Sequence, residues 1–156
     1  MPDYRKLTVW LRAKDLAVEV YRAVESSGIR SDFGLRDQIL RAAVSVPSNI
    51  AEGYARETPA DRTHFLTVAR GSCAELETQL TIAAEVGLLD TPTSARLGAA
   101  SEEISKMLFA LRATIRATNS NERRTTSLEA GALNSQLPAS SSARQAKSFQ
   151  RPAPSP

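Results

Sequence analysis

Apolar side chains recur at every third or fourth position through four segments of the chain, a spacing typical of helices that bury one face. The first segment covers about residues 7–26 and the second begins near Phe33. The four stripes are Trp10, Ala13, Ala17, Val20 and Val24; Leu35, Ile39, Ala42, Val46, Ile50 and Gly53; Phe65, Ala69, Ser72, Leu76, Leu80 and Ala83; and Leu97, Ala100, Ile104, Leu108, Leu111 and Ile115. Short turns join the segments, so we predict an all-α, antiparallel up-down-up-down four-helix bundle over residues 4–119.

Local signals mark where these helices begin and end. Ser31 or Asp32 is a candidate N-cap for the second helix. In the sequence "TPAD", Thr58 can cap the third helix and Pro59 suits its first position, because a proline there gives up no helical hydrogen bond. The sequence "DTPTSA" repeats this chemistry before the fourth helix, and Gly87 is a candidate terminator of the third.

The second helix contains Pro47 and Gly53, two residues that a helix interior normally excludes. One interpretation ends the helix there and continues as a loop. The other keeps the helix and bends it at a kink. We favour the kink, because Val46 and Ile50 keep the apolar stripe in phase across the proline.

Polar residues accompany the proline on or near the predicted inward face. Asn49 and Glu52 lie there on the second helix, and Ser72 and Glu75 have similar positions on the third. Antiparallel packing of the two helices predicts that these four side chains form a buried structural cluster. The alternative is a buried Glu52–Glu75 carboxylate pair, in which one pKa is raised and the two groups act as acid and base.

Beyond Asn119 the apolar repeat stops, and residues 120–156 are rich in Ser, Ala and Pro. A segment of this composition buries too little apolar surface to offset the entropy lost on ordering. We therefore predict that residues 120–156 form a disordered C-terminal tail.

The formal net charge of +3 is unevenly distributed. Residues 1–120 contain 15 Lys and Arg against 15 Asp and Glu, and residues 121–156 contain 5 against 2. A nucleic-acid surface on the folded part must therefore arise from segregated charge or from several subunits. Arg112 and Arg116 form an i, i+4 pair with no acid nearby on their helix. The full candidate set is Arg12, Arg41, Arg56, Arg70, Arg112 and Arg116.

Other chemistry is sparse. The single cysteine, Cys73, excludes an intramolecular disulfide, and we interpret it as a packed thiol. His64 and Asp61 supply only one i, i+3 pair, whereas a di-iron bundle site needs two histidines and further carboxylates. We therefore predict no catalytic residue, metal or cofactor. No run of about 18 apolar residues exists and the N-terminal region is charged, so we also predict a cytoplasmic protein without a membrane span.

Several segments resemble a family of bacterial four-helix-bundle proteins, those encoded by intervening sequences in 23S rRNA genes. The family includes the accessory variability proteins of diversity-generating retroelements. The matching segments are "VW" at 9–10, "VYRAVE" at 20–25, "LRDQILRAAVSVPSNIAEGYAR" at 35–56, "FLTVARGSCAELETQL" at 65–80 and "GLL" at 87–89. The resemblance implies a bundle that assembles into a ring, with a pentamer as the expected homo-oligomer. In the retroelement members it also implies a basic outer surface that contacts nucleic acid and a reverse transcriptase.

These observations predict a non-enzymatic, oligomeric scaffold that acts through protein–protein interaction. The alternative is a nucleic-acid-binding accessory protein of a ribonucleoprotein or reverse transcriptase, which uses a basic outer surface repeated around a ring to bind RNA or DNA.

Overall fold

The computed structural model describes residues 3–135, with side chains described for residues 3–126. Its four α-helices are α1 (Thr8–Glu25), α2 (Phe33–Ala55), α3 (Pro59–Glu85) and α4 (Thr91–Ser135). Short 3-10 turns occupy Tyr4–Lys6 and Gly28–Ser31, and the described residues contain no strand. The predicted all-α class and the four helices are confirmed.

Side-chain hydrogen bonds show the relative direction of α3 and α4. The Ser94 hydroxyl donates to the Leu80 carbonyl at 3.0 Å, and the Ser101 hydroxyl donates to the Cys73 carbonyl at 3.3 Å. Because the α4 position advances while the α3 position recedes, these two helices are antiparallel.

Two further pairs of neighbouring helices, α2 with α3 and α1 with α4, are also antiparallel. Ser45 of α2 meets Ser72 of α3, while Gly53, farther along α2, lies beside Phe65, which is earlier in α3. Ion pairs link α1 to α4 in the order Glu19–Arg96 and Arg12–Glu103. All three pairings are antiparallel, as an up-down-up-down bundle requires.

The core lies between the helices and is mostly aliphatic. Its largest fully buried side chains are Val20, Val24, Ile29, Ile39, Val46, Ile50, Leu66, Leu76, Leu80, Leu97, Ile104 and Leu108. Burying such a side chain stabilises a fold by about 1.5–3 kcal/mol, so this cluster supplies most of the driving force for folding. None of the helices in the described part of the chain has a stretch long and apolar enough to cross a bilayer.

The helix ends match the local signals in the sequence. Asp32, one of the two candidates, caps α2 by accepting the Leu35 N–H at 3.0 Å. Thr58 caps α3 by accepting the Asp61 N–H at 3.0 Å, and Pro59 is the first helical residue. Gly87 follows α3 with a φ of 75°, a left-handed conformation that side chains disfavour. These capping predictions are confirmed.

We expect Thr58→Ala to lower the free energy of unfolding by about 1 kcal/mol, because the first turn of α3 loses its side-chain cap. Chemical denaturation at a fixed protein concentration measures the change. Thr78→Ala is the matched control: Thr78 is exposed within the same helix, and alanine is the better helix former there. An equal loss from both variants would contradict a capping role for Thr58.

Helix α2 continues through Pro47 without interruption, so the loop interpretation is wrong. Two side chains on the following turn donate to carbonyls of the preceding one. The Ser48 hydroxyl donates to the Val44 carbonyl at 2.8 Å, and the Asn49 amide donates to the Ser45 carbonyl at 2.8 Å. These contacts reinforce the turn in which the proline supplies no N–H.

The C-terminal end of α4 corrects one prediction. Leu111 and Ile115 are the last predicted stripe residues and pack against the core, but the helix continues to Ser135 instead of ending near residue 119. The first part of the predicted disordered tail is therefore helical. Its sequence contains good helix formers, among them Glu122, Arg123 and Arg124, which favour a helix without a buried face. The rest of the predicted tail, residues 136–156, lies outside the described residues.

Candidate functional site

A polar group occupies the contact between α2 and α3. The hydroxyls of Ser45 and Ser72 lie 2.8 Å apart, and the Asn49 amide donates to the Ser45 hydroxyl at 2.9 Å. Ser72 is buried and also donates to the Val68 carbonyl at 3.2 Å, while Ser45 and Asn49 are half-buried. Every member of this group has a hydrogen-bond partner, and the group joins α2 to α3. None of its three side chains is titratable.

The two glutamates predicted to join this cluster do not. Glu52 is exposed and pairs with Arg56 one turn later, and Glu75 is also exposed. The buried four-residue cluster is thus corrected to Ser45, Asn49 and Ser72, and the alternative of a buried Glu52–Glu75 pair is wrong. Both glutamates lie just outside the apolar stripe, where a carboxylate stays hydrated.

Cys73 is fully buried beside the core. Burial raises the pKa of its thiol to about 11, because the thiolate would have to form away from water. At neutral pH the side chain is therefore a protonated thiol, which is a poor nucleophile.

His64 and Asp61 make different contacts at the start of α3. His64 is exposed, and its ring packs edge-on against Phe65 with centroids 5.4 Å apart. Asp61 accepts a hydrogen bond from the Thr58 hydroxyl at 2.6 Å. In the part of the chain that the structure describes, no three His, Cys, Asp or Glu side chains group as metal ligands.

The six candidate arginines fall into three groups: those paired with an acid, one isolated residue, and a cluster along α3 and α4. Arg12 pairs with Glu103, and Arg56 pairs with Glu52, so a carboxylate already neutralises each of these two. Arg41 is exposed on α2, and it is distant in the sequence from the other candidate arginines.

Arg70, Arg112 and Arg116 lie together along α3 and α4. The Arg112 guanidinium donates to the Thr67 hydroxyl at 2.9 Å, and Arg70 approaches the Ser105 hydroxyl at 3.5 Å. Arg116 is exposed one turn beyond Arg112. No Asp or Glu occurs in residues 62–74 or 104–121, the segments that carry these arginines. Within these two segments the arginines have no acidic neighbour in sequence, a local separation of charge that favours nucleic-acid binding by a domain of neutral net charge.

The sequence interpretation missed an aromatic residue on this surface. Phe109 is 56% exposed, and the Arg70 guanidinium carbon lies 5.1 Å from its ring centroid. A signal was present, since residues 109, 112 and 116 follow the spacing of one helix face within the acid-free segment. We call Thr67, Arg70, Phe109, Arg112 and Arg116 the basic α3/α4 surface.

A shallow cleft between the end of α1 and the start of α4 is another place where charged side chains gather. Arg22, Ser26, Thr93 and Arg96 line it together with Glu19. Glu19 pairs with Arg96, so an internal carboxylate already partly balances the positive charge.

The fold and these side chains define a small antiparallel four-helix-bundle protein, whose buried polar groups serve packing and three of whose arginines lie together along α3 and α4. Residues 5–110 match the sequence profile of the 23S rRNA-intervening sequence proteins. The match covers more than half of the chain, and the chain belongs to this family.

A solved structure from Bacteroides thetaiotaomicron has a similar fold. It is described as a protein with unknown function from the S23 ribosomal protein family, and it shares 23% sequence identity with this chain. The TM-score is 0.62, and the match covers 67% of this chain and 98% of that one. At this identity the likeness shows the fold alone. No curated protein matches the chain.

Proposed function

We propose that the chain is a cytoplasmic, non-enzymatic scaffold that assembles with copies of itself and acts through protein–protein interaction. The chemistry of the described residues supports a non-enzymatic role. Cys73 is buried as a thiol, Asp61 accepts a capping hydrogen bond, and Glu52 is paired with an arginine. These three groups, which a catalytic mechanism could use, are thus engaged in the fold or paired at its surface.

The outer face of α3 is the observation that carries the scaffold proposal. Val68 and Ile82 of α3 and Val86, the residue that follows it, are 39%, 45% and 60% exposed, and by the helical period they lie on one side. Single exposed apolar residues are ordinary, but three along one helix face are typical of a contact surface. A second copy is the occupant we propose, in a ring that is pentameric in the family the chain resembles.

The native mass of the assembly tests this proposal. We expect a multiple of the 16.9 kDa chain mass, five-fold for a pentamer, by native mass spectrometry and sedimentation. The double variant Val68→Glu/Ile82→Glu should sediment as a monomer, because charges at a buried contact are unpaired. Ala95→Glu/Ala99→Glu, at two exposed positions of α4, is the matched control: it adds the same two charges and should leave the assembly intact. A wild-type protein that remains a 16.9 kDa monomer at high concentration would contradict the proposal.

The basic α3/α4 surface favours a second function, the binding of RNA or DNA as an accessory protein of a ribonucleoprotein or reverse transcriptase. Its arginines belong to acid-free segments, and Arg112 and Arg116 present two adjacent positive charges. One copy offers few phosphate contacts, but a ring repeats them, and multivalent contacts strengthen binding greatly.

Salt dependence and charge reversal test this second function. We expect binding of a labelled oligonucleotide to weaken steeply with salt, and Arg112→Glu/Arg116→Glu to abolish it at physiological salt. If weak binding persists at low salt, the slope of log affinity against log salt should become shallower by about 1.4–1.8, for two lost phosphate contacts.

The control for this test is Lys14→Glu/Arg22→Glu, which lowers the net charge equally on the outer face of α1 and should retain nearly wild-type affinity. Equal losses from the two double variants would show that net charge, and not this surface, drives binding. Absence of binding at low salt would refute the nucleic-acid function.

A further inference from the structure

Phe109 is an exposed aromatic ring within the basic α3/α4 surface. The Arg70 guanidinium lies over the ring at 5.1 Å, while 56% of the residue remains accessible to solvent. Arg112 and Arg116 follow it by one and two turns on the same side of α4. The surface thus places a flat apolar platform beside a row of positive charges.

An aromatic ring beside positive charges can bind an unpaired base through the ring and its phosphates through the charges. Bases of a single strand stack on aromatic side chains, whereas the bases of a duplex are already stacked and paired. Arginines contact the phosphates of either form. The arginines therefore contribute to the binding of single strands and duplexes alike, whereas the ring contributes only to the binding of a single strand.

We propose that Phe109 stacks on an unpaired base, so that the basic α3/α4 surface prefers single-stranded nucleic acid to duplex. This inference rests on the nucleic-acid function proposed above and specifies its ligand. Arg70 holds the ring from one side by a cation–π contact, and the base occupies the accessible part of the ring.

A second arginine–phenylalanine pair shows what distinguishes this site. The Arg36 guanidinium lies 4.7 Å from the Phe33 ring centroid, and Phe33 is 68% exposed. Arg36, however, also donates to the Asp37 carboxylate at 3.2 Å, and Asp32 precedes the ring in the chain. These acids repel phosphate, so the Phe33 pair has the same local geometry without the basic surroundings.

The test measures the affinity of wild-type protein and Phe109→Ala for one oligonucleotide, both as a single strand and annealed to its complement. We expect the variant to lose about 5- to 150-fold in single-strand affinity, the equivalent of the roughly 1–3 kcal/mol of one stacked base. Duplex affinity should stay unchanged, and Phe109→Trp should keep the single-strand preference. Phe33→Ala is the matched control and should affect neither ligand.

Two further readouts complete the test. In Phe109→Trp, a stacked base should quench the new indole, while the half-buried Trp10, measured in the wild-type protein, supplies the background. The same sequence in ribose and deoxyribose form shows which nucleic acid the surface favours, and a single-strand preference in either form supports the inference.

The outcomes separate this inference from the function on which it rests. If Phe109→Ala changes both affinities equally or neither of them, while Arg112→Glu/Arg116→Glu still abolishes binding, stacking is refuted and the nucleic-acid function stands. If the wild-type protein binds neither strand form at low salt, both are refuted. Thermal unfolding of each variant confirms that the substitution leaves the bundle folded.

Discussion

Replacing Gly53 with leucine is expected to lower the free energy of unfolding by about 3 kcal/mol. A Cβ atom at this position would lie 3.0 Å from the Phe65 Cβ and 3.3 Å from the Arg62 carbonyl oxygen. The carbonyl belongs to the backbone of α3, so the clash is relieved only if the two helices separate. The cost should therefore lie at the upper end of the range for overpacked sites.

Alanine substitutions provide the matched comparison for Gly53. Gly53→Ala should already destabilise the protein, whereas Gly98→Ala should stabilise it by up to about 1 kcal/mol, because a Cβ at Gly98 meets nothing within 4 Å and alanine favours a helix. Urea denaturation at one protein concentration measures all three variants. A Gly53→Leu protein as stable as wild type would show that the close approach of α2 and α3 is not needed.

Replacing Pro47 with alanine is expected to raise the free energy of unfolding by about 2 kcal/mol. A proline in a helix interior costs about 3 kcal/mol, because it lacks an N–H for the Ala43 carbonyl and its ring crowds that oxygen. Removing the half-buried ring sacrifices about 1 kcal/mol of apolar contact, which offsets part of the gain. The same denaturation measurement gives the net change.

Pro59→Ala is the matched control for Pro47→Ala. Pro59 is the first residue of α3, where its missing N–H costs nothing, so the same substitution should change stability much less. If Pro47→Ala instead destabilises the protein, the surrounding helices are fitted to the proline, and the bend predicted from the sequence is part of their packing.

Local chemistry explains why much of the fold could be predicted from sequence. The caps at Asp32 and Thr58 and the left-handed Gly87 each depend on neighbours within a few residues. The apolar stripes identify the core because a helix repeats its faces at a fixed period. Continuity through Pro47 was also evident, since Val46 and Ile50 keep the stripe in phase.

The polar cluster was harder to predict from sequence because its members lie at the edge of the apolar stripe. Asn49 and Glu52 are three residues apart, and at the edge of a face that separation is enough to place one side chain inward and the other in water. Glu52 also had a local partner, Arg56, at i+4, which favours the surface position. Ser45, which joins Asn49 to Ser72, was not in the predicted cluster, although it lies one turn before Asn49 on the same side of α2.

The two remaining misses have different physical causes. The end of α4 was misplaced because the loss of an apolar stripe was equated with the loss of the helix, although the helix continues to Ser135. The Arg70–Phe109 contact joins residues far apart in the chain, so no local pattern predicts it. Only the acid-free segments and the spacing of residues 109, 112 and 116 pointed towards that surface.

The hydroxyls of Ser94 and Ser101 fix the alignment of α4 with α3. They are one heptad apart on α4, and so are their acceptors, the carbonyls of Leu80 and Cys73, on α3. Aliphatic contacts alone would let α4 shift by one turn along α3. Such a shift would leave two buried hydroxyls without their hydrogen-bond partners, at a cost of about 1–3 kcal/mol each. Any redesign that uses this bundle as a framework should therefore retain the two serines, even where it replaces every aliphatic residue between them.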